Sequence, residues 1–139
     1  MGIMMQKLSG KCLCGKIKFA REAEIQRVAN CHCTDCQNVT GATYATLVSV
    51  AENMIKIDGT PRVYHHKSDR DSDMEKHFCD NCGSQMFSYN STRPGIILLR
   101  AGVLEQKELV EPIMNQYTDS KIPSTPLNPD LPAHPKMPV

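Results

Sequence analysis

The sequence has no tryptophan, and aromatic residues make up only 5% of it. A platform on which bases stack is therefore poorly supported. It also has no surplus of either charge: Lys and Arg number 16, Asp and Glu 15, and the net charge is +1. Non-specific binding to nucleic acid or to an anionic membrane needs a basic excess, so neither partner is expected. No apolar run approaches the ~20 residues of a membrane span. The longest, Ile96 to Leu99, is four residues. The first residues, Met1-Gly2-Ile3-Met4-Met5-Gln6, lack a charged stretch followed by an apolar one, so no signal peptide is expected. Gly2 hints at myristoylation, but Gln6 stands where that motif has Ser or Thr. These absences predict a cytoplasmic protein, and 139 residues suit one domain.

What the chain does have is cysteine: Cys12, Cys14, Cys31, Cys33, Cys36, Cys79 and Cys82. In a reducing compartment, clustered cysteines bind metal or do redox chemistry more often than they form disulfides. Around them the pattern is mostly strand. Lys16 to Phe19 alternates polar and apolar, and Thr43 to Val50 is rich in β-formers. Ile55 to Ile57 and Arg62 to His65 flank Asp58-Gly59-Thr60-Pro61 and predict a hairpin. Met86 to Tyr89 and Ile96 to Arg100 are further strands. A short helix is expected over Thr34 to Val39, with Thr34 as its N-cap. The fold class is therefore mainly β, built from short antiparallel strands. Residues 1–122 form the domain. Residues 123–139 form a tail with proline at every third position from Pro123 to Pro138. Polyproline II has three residues per turn, so such a tail is expected to be extended. It would pack on the domain or a neighbour, or serve a proline-binding partner.

The cysteines fall into three motifs. In Cys12-Leu13-Cys14-Gly15, side chains at i and i+2 share one face of an extended chain. Cys79-Asp80-Asn81-Cys82-Gly83 has the spacing of a zinc knuckle. Together these two supply four thiolates, a complete tetrahedral zinc site. The middle motif, Cys31-His32-Cys33-Thr34-Asp35-Cys36, supplies three. Structural zinc sites are closed by four protein ligands, whereas catalytic sites keep three and one open position. Four plus three thus predicts two Zn2+ per chain, one structural and one catalytic-type. His32, between two ligands, would point away; His65, His66, His77, His134 or an acid could instead close the second site. Three thiolates weaken the Lewis acidity of zinc and favour a soft ligand such as a thiol over activated water. Gln37 and Asn38, which follow the motif directly, are candidate substrate-binding donors.

At these residues the chain resembles the glutathione-dependent formaldehyde-activating enzyme family, also called centromere-protein-V-like. The matching motifs are Gly10-x-Cys12-x-Cys14-Gly15-x-Ile17, Cys31-His32-Cys33-x-x-Cys36 with Gly41, and Phe78-Cys79-x-x-Cys82-Gly83-Ser84. Gly102-Val103-Leu104-Glu105 is a weaker echo. The resemblance spans about Gly10 to Lys121 and implies an Mss4-like β-tent. It implies a structural zinc on Cys12, Cys14, Cys79 and Cys82, and a second zinc on Cys31, Cys33 and Cys36. The activity it implies is that of a carbon–sulfur lyase joining glutathione, or a similar small thiol, to formaldehyde or a similar aldehyde; a homodimer is a further expectation. The chain departs from the family where Pro-x-x-His is usual: it has Pro112-Ile113-Met114-Asn115 before Ser120-Lys121, and no tryptophan. The other readings are a zinc-scaffolded binding module and a thiol redox sensor or zinc store.

Overall fold

The computed structural model describes residues 4–138; Gly2 lies outside them. In chain order the elements are β1 (Gln6–Lys11), β2 (Lys18–Ala23), β3 (Arg27–Cys31), α1 (Thr34–Thr40), β4 (Ala45–Ala51) and β5 (Lys56–Asp58). Then follow β6 (Arg62–Lys67), β7 (Asp73–Phe78), β8 (Gln85–Asn90), β9 (Ile96–Arg100) and β10 (Asn115–Gln116). They form two sheets, of order β1-β2-β5 and β10-β3-β4-β9-β8-β7-β6. Every pairing is antiparallel except that of β10 with β3. The fold is mainly β with one α-helix among the described residues, and none of its helices is long and apolar enough to cross a membrane.

Side chains alternate across a strand, so each sheet has two faces. On the larger sheet, Val28, Val48, Val50, Ile97 and Leu99 face a core shared with Leu8 and Phe19 of the smaller one. Leu99 is fully buried there; truncating such a leucine to alanine costs about 2–5 kcal/mol. The opposite face of the same sheet, carrying Arg27, Cys31, Ser49, Lys76 and Leu98, lines a cavity.

Three expectations need correction. The turn at Asp58–Pro61 does not make a hairpin. It passes the chain between sheets: β5 pairs with β2, while β6 pairs with β7. Turn residues fix where a chain bends, not which neighbour its flanks choose. The helix cap is Cys33, not Thr34: Cys33 Sγ accepts a hydrogen bond from the Cys36 amide at 3.3 Å. The proline stretch is not one extended helix, because turns at Pro123–Ser124 and Pro129–Asp130 break it. Lys121 Nζ holds the first of these, donating to the carbonyls of Ile122, Pro123 and Thr125. Beyond the second, Asn115 N donates to Pro132 O, His134 N to Asn115 O, and Tyr117 N to Lys136 O.

Candidate functional site

The first thiol cluster sits where two turns meet. Cys12 and Cys14 lie in the β1–β2 connection, Cys79 and Cys82 in the β7–β8 connection. Each turn is closed by a backbone bond to a cysteine carbonyl, Gly15 N to Cys12 O and Gly83 N to Cys79 O. Both glycines need positive φ, 82° and 78°, which is why glycine follows each motif. The Leu13 amide donates to Ser84 Oγ at 3.0 Å and ties one turn to the other. Cys14 Sγ lies 3.6 Å from Cys12 Sγ and 3.7 Å from Cys79 Sγ. These distances are too long for a disulfide, but match the edge of about 3.8 Å of a tetrahedron with ~2.3 Å zinc–sulfur bonds. The Ser84 hydroxyl beside Cys82 holds that thiol down at about 5, with backbone donors adding to the effect.

The second cluster is the end of β3 and the start of α1. Cys31, Cys33 and Cys36 have their sulfurs within 4.8 Å of one another, and no fourth His, Cys, Asp or Glu among the described residues joins them. His32 is indeed turned away: it is 1% exposed and its Nε2 lies 3.1 Å from Asn115 Oδ1. Asn115, which stands where the family often has histidine, is thus bound to the back of β3 rather than presented to the cavity. Hydrogen bonds from Cys33 and Cys36 push the Cys31 thiol far up, while those from Cys31 and Cys33 hold Cys36 well below the usual thiol range. Crowded thiols must share protons, a conflict that a divalent cation removes. By donor chemistry and spacing, both clusters could hold zinc.

All three sulfur-bearing residues of this second cluster line a cavity of about 550 Å3. The Gln37 and Asn38 expectation finds no support in that lining. Gln37 Nε2 donates instead to the carbonyls of His32 at 2.8 Å and Ser120 at 3.0 Å, and Asn38 is exposed on the far side of α1. The polar residues that do face the cavity include Arg27, His66, Lys76 and Arg93. Arg93 donates to Ser49 Oγ at 3.1 Å, and Arg27 Nε is buried without a partner. Burial lowers the Arg93 guanidinium from its usual range, and the nearby charge of Arg27 adds to this. Burial likewise pulls the Lys76 ammonium below the usual lysine range, helped by Arg100. Arg100 is 5% exposed, and all three of its guanidinium nitrogens are buried without a hydrogen-bond partner. The only sequence signal for these residues is a charge inside a strand-like run, such as Lys76 between Met74 and Phe78.

The comparisons with known proteins agree with the geometry. Among curated proteins none matches the chain. Its fold is similar to that of a Rhodobacter sphaeroides protein solved by crystallography, with a TM-score of 0.56 and 18% identity over 75% of this chain and 96% of that one. Residues 7–120 match the family model described as glutathione-dependent formaldehyde-activating enzyme. Both thiol clusters lie within that match, and the chain belongs to the glutathione-dependent formaldehyde-activating enzyme family.

Proposed function

We propose that the protein is a zinc-dependent carbon–sulfur lyase that joins a small acidic thiol, glutathione or one like it, to formaldehyde or a similar small aldehyde. The observation that carries this reading is the three-thiol cluster with no fourth protein donor among the described residues, set in the wall of a 550 Å3 cavity. Cys31, Cys33 and Cys36 would hold the second zinc, and Cys12, Cys14, Cys79 and Cys82 the structural one. When bound, the second zinc supplies a site where an incoming thiol gives up its proton. The chain's own residues do the rest. Arg27 and Arg93 offer two guanidinium groups to a carboxylate. Arg27 and Cys31 are four residues apart on β3, or about 13 Å along the strand, which suits a thiol whose acidic group lies well away from its sulfur. The Tyr117 hydroxyl donates to Asp69 Oδ1 at 2.8 Å and fixes a loop on the cavity's rim.

Elemental analysis beside exchange spectroscopy tests the proposal. Protein purified without chelator should hold two zinc ions, falling to one in a folded Cys36→Ala variant. The wild type should exchange formaldehyde between free and thiol-bound forms faster than buffer, and Cys36→Ala should not. Exchange at the buffer rate across several thiols would overturn the lyase reading and leave a zinc-scaffolded binding module.

A further inference from the structure

We propose that Lys76 is a catalytic residue: its ammonium meets the aldehyde oxygen while the substrate's sulfur adds to the carbonyl carbon. This rests on the lyase reading above and assigns the donor that reading lacks. Lys76 lies mid-strand in β7, is 3% exposed, and yet lines the cavity that the three thiols line. It takes part in none of the ion pairs of the described residues. Burying an unpaired ammonium is costly, and a fold keeps one where negative charge arrives during its work. The charged groups around it are Arg100, Cys36, Cys33 and Asp35.

Two cations therefore stand beside the thiol cluster, and the cavity separates their roles. Arg100 is sealed from solvent and is not part of the cavity wall, so it balances charge on the sulfurs without meeting a substrate. Lys76 is in the wall. Its position is set by cross-strand register: Leu98, Ser88 and Lys76 stand side by side on β9, β8 and β7. A substrate sulfur brought to Cys31, Cys33 and Cys36 puts the carbonyl one bond further into the cavity that Lys76, with three N–H donors, also lines. The two donors expected from the sequence are engaged or absent from the lining, since the Gln37 amide is bound to two backbone carbonyls and Asn38 is exposed outside the cavity.

In the forward step the thiol has already lost its proton to solvent. A sulfur lone pair forms the C–S bond, the carbonyl π pair moves onto oxygen, and that oxygen takes a proton from Lys76 Nζ. Solvent then returns to Nζ the proton that the thiol released. In reverse, Nζ takes the hydroxyl proton as the C–S bond breaks. A positioned donor of this kind contributes about 10²–10⁴-fold to rate.

The experiment compares Lys76→Met with the wild type, both carrying their metal, in formaldehyde–glutathione exchange. The expected result, with both sites kept loaded by added zinc, is a kcat at least 100-fold lower and glutathione affinity within threefold. Lys76→Gln serves if Lys76→Met does not fold. Ethylammonium added to Lys76→Ala should restore part of the rate. A folded Lys76→Met or Lys76→Gln with kcat within threefold of an active wild type overturns the proposal and leaves the lyase reading standing. A slow Lys76→Ala that gains nothing from ethylammonium makes the lysine structural and overturns it too. A wild type at the buffer rate with every thiol removes both readings.

Discussion

Arg100 is a permanent cation with no hydrogen-bond partner and almost no exposure. Its charge and that of Lys76 both lower the Cys36 thiol, after the larger effect of Cys31 and Cys33. The dependence runs the other way as well: removing the guanidinium should weaken the three-thiol site for zinc. Arg100→Met should lose about 10–100-fold in affinity there, the usual size of an outer-shell effect, while the four-thiol site keeps its own. Competition with a chromophoric chelator resolves the two sites, and an equal loss at both would point to general destabilisation. The two thiol clusters were legible in the sequence because spacings of two and three residues bring side chains together whatever the rest of the fold does. Arg27, Lys76, Arg93 and Arg100 were not. In a strand, a charged residue alternating with apolar ones reads as a solvent face, and here that second face is enclosed.

At the scale of the element, α1 matters most, because its cap and first turn place two of the three thiols, Cys33 and Cys36. Cys33 caps its start, and Gly41 ends it in the left-handed conformation, its amide bonded to Gln37 O. Gln37 also ties the helix to the His32 and Ser120 carbonyls. Gln37→Ala should cost about 1–3 kcal/mol by leaving those carbonyls without their donor, read as a lower denaturation midpoint in urea. A midpoint equal to the wild type would show that water replaces the amide at no cost. The helix and the β9 run were foreseeable, since capping and a dense apolar stretch act locally. β7 was harder, because Asp73-Met74-Glu75-Lys76-His77-Phe78 is mostly polar. It is a strand because both neighbours offer it a ladder, β6 on one side and β8 on the other. A tail cut after Asp130 should lower Tm and open the cavity at Lys136 and Met137, since it removes the backbone bonds to Asn115 and Tyr117.

For the whole molecule, the four-thiol cluster is one join between the two sheets, beside their shared core: one half hangs from the smaller sheet and the other from the larger. Cys82→Ser should therefore lower Tm by more than about 10 °C, because a structural zinc site contributes folding energy outright. Cys36→Ala should shift Tm far less, as its site closes nothing between sheets. Differential scanning calorimetry on protein of measured zinc content separates the two outcomes, and equal shifts would refute the division of roles. The two clusters differ also in time. The three-thiol motif is complete within six residues of chain, whereas Cys14 waits 65 residues for Cys79. At ribosomal speeds of about 5–20 residues per second, that wait is roughly 3–13 s. The growing chain thus presents a finished three-thiol site early and half of a four-thiol site for seconds. The cluster that joins the sheets is the later of the two to gather its full set of thiols.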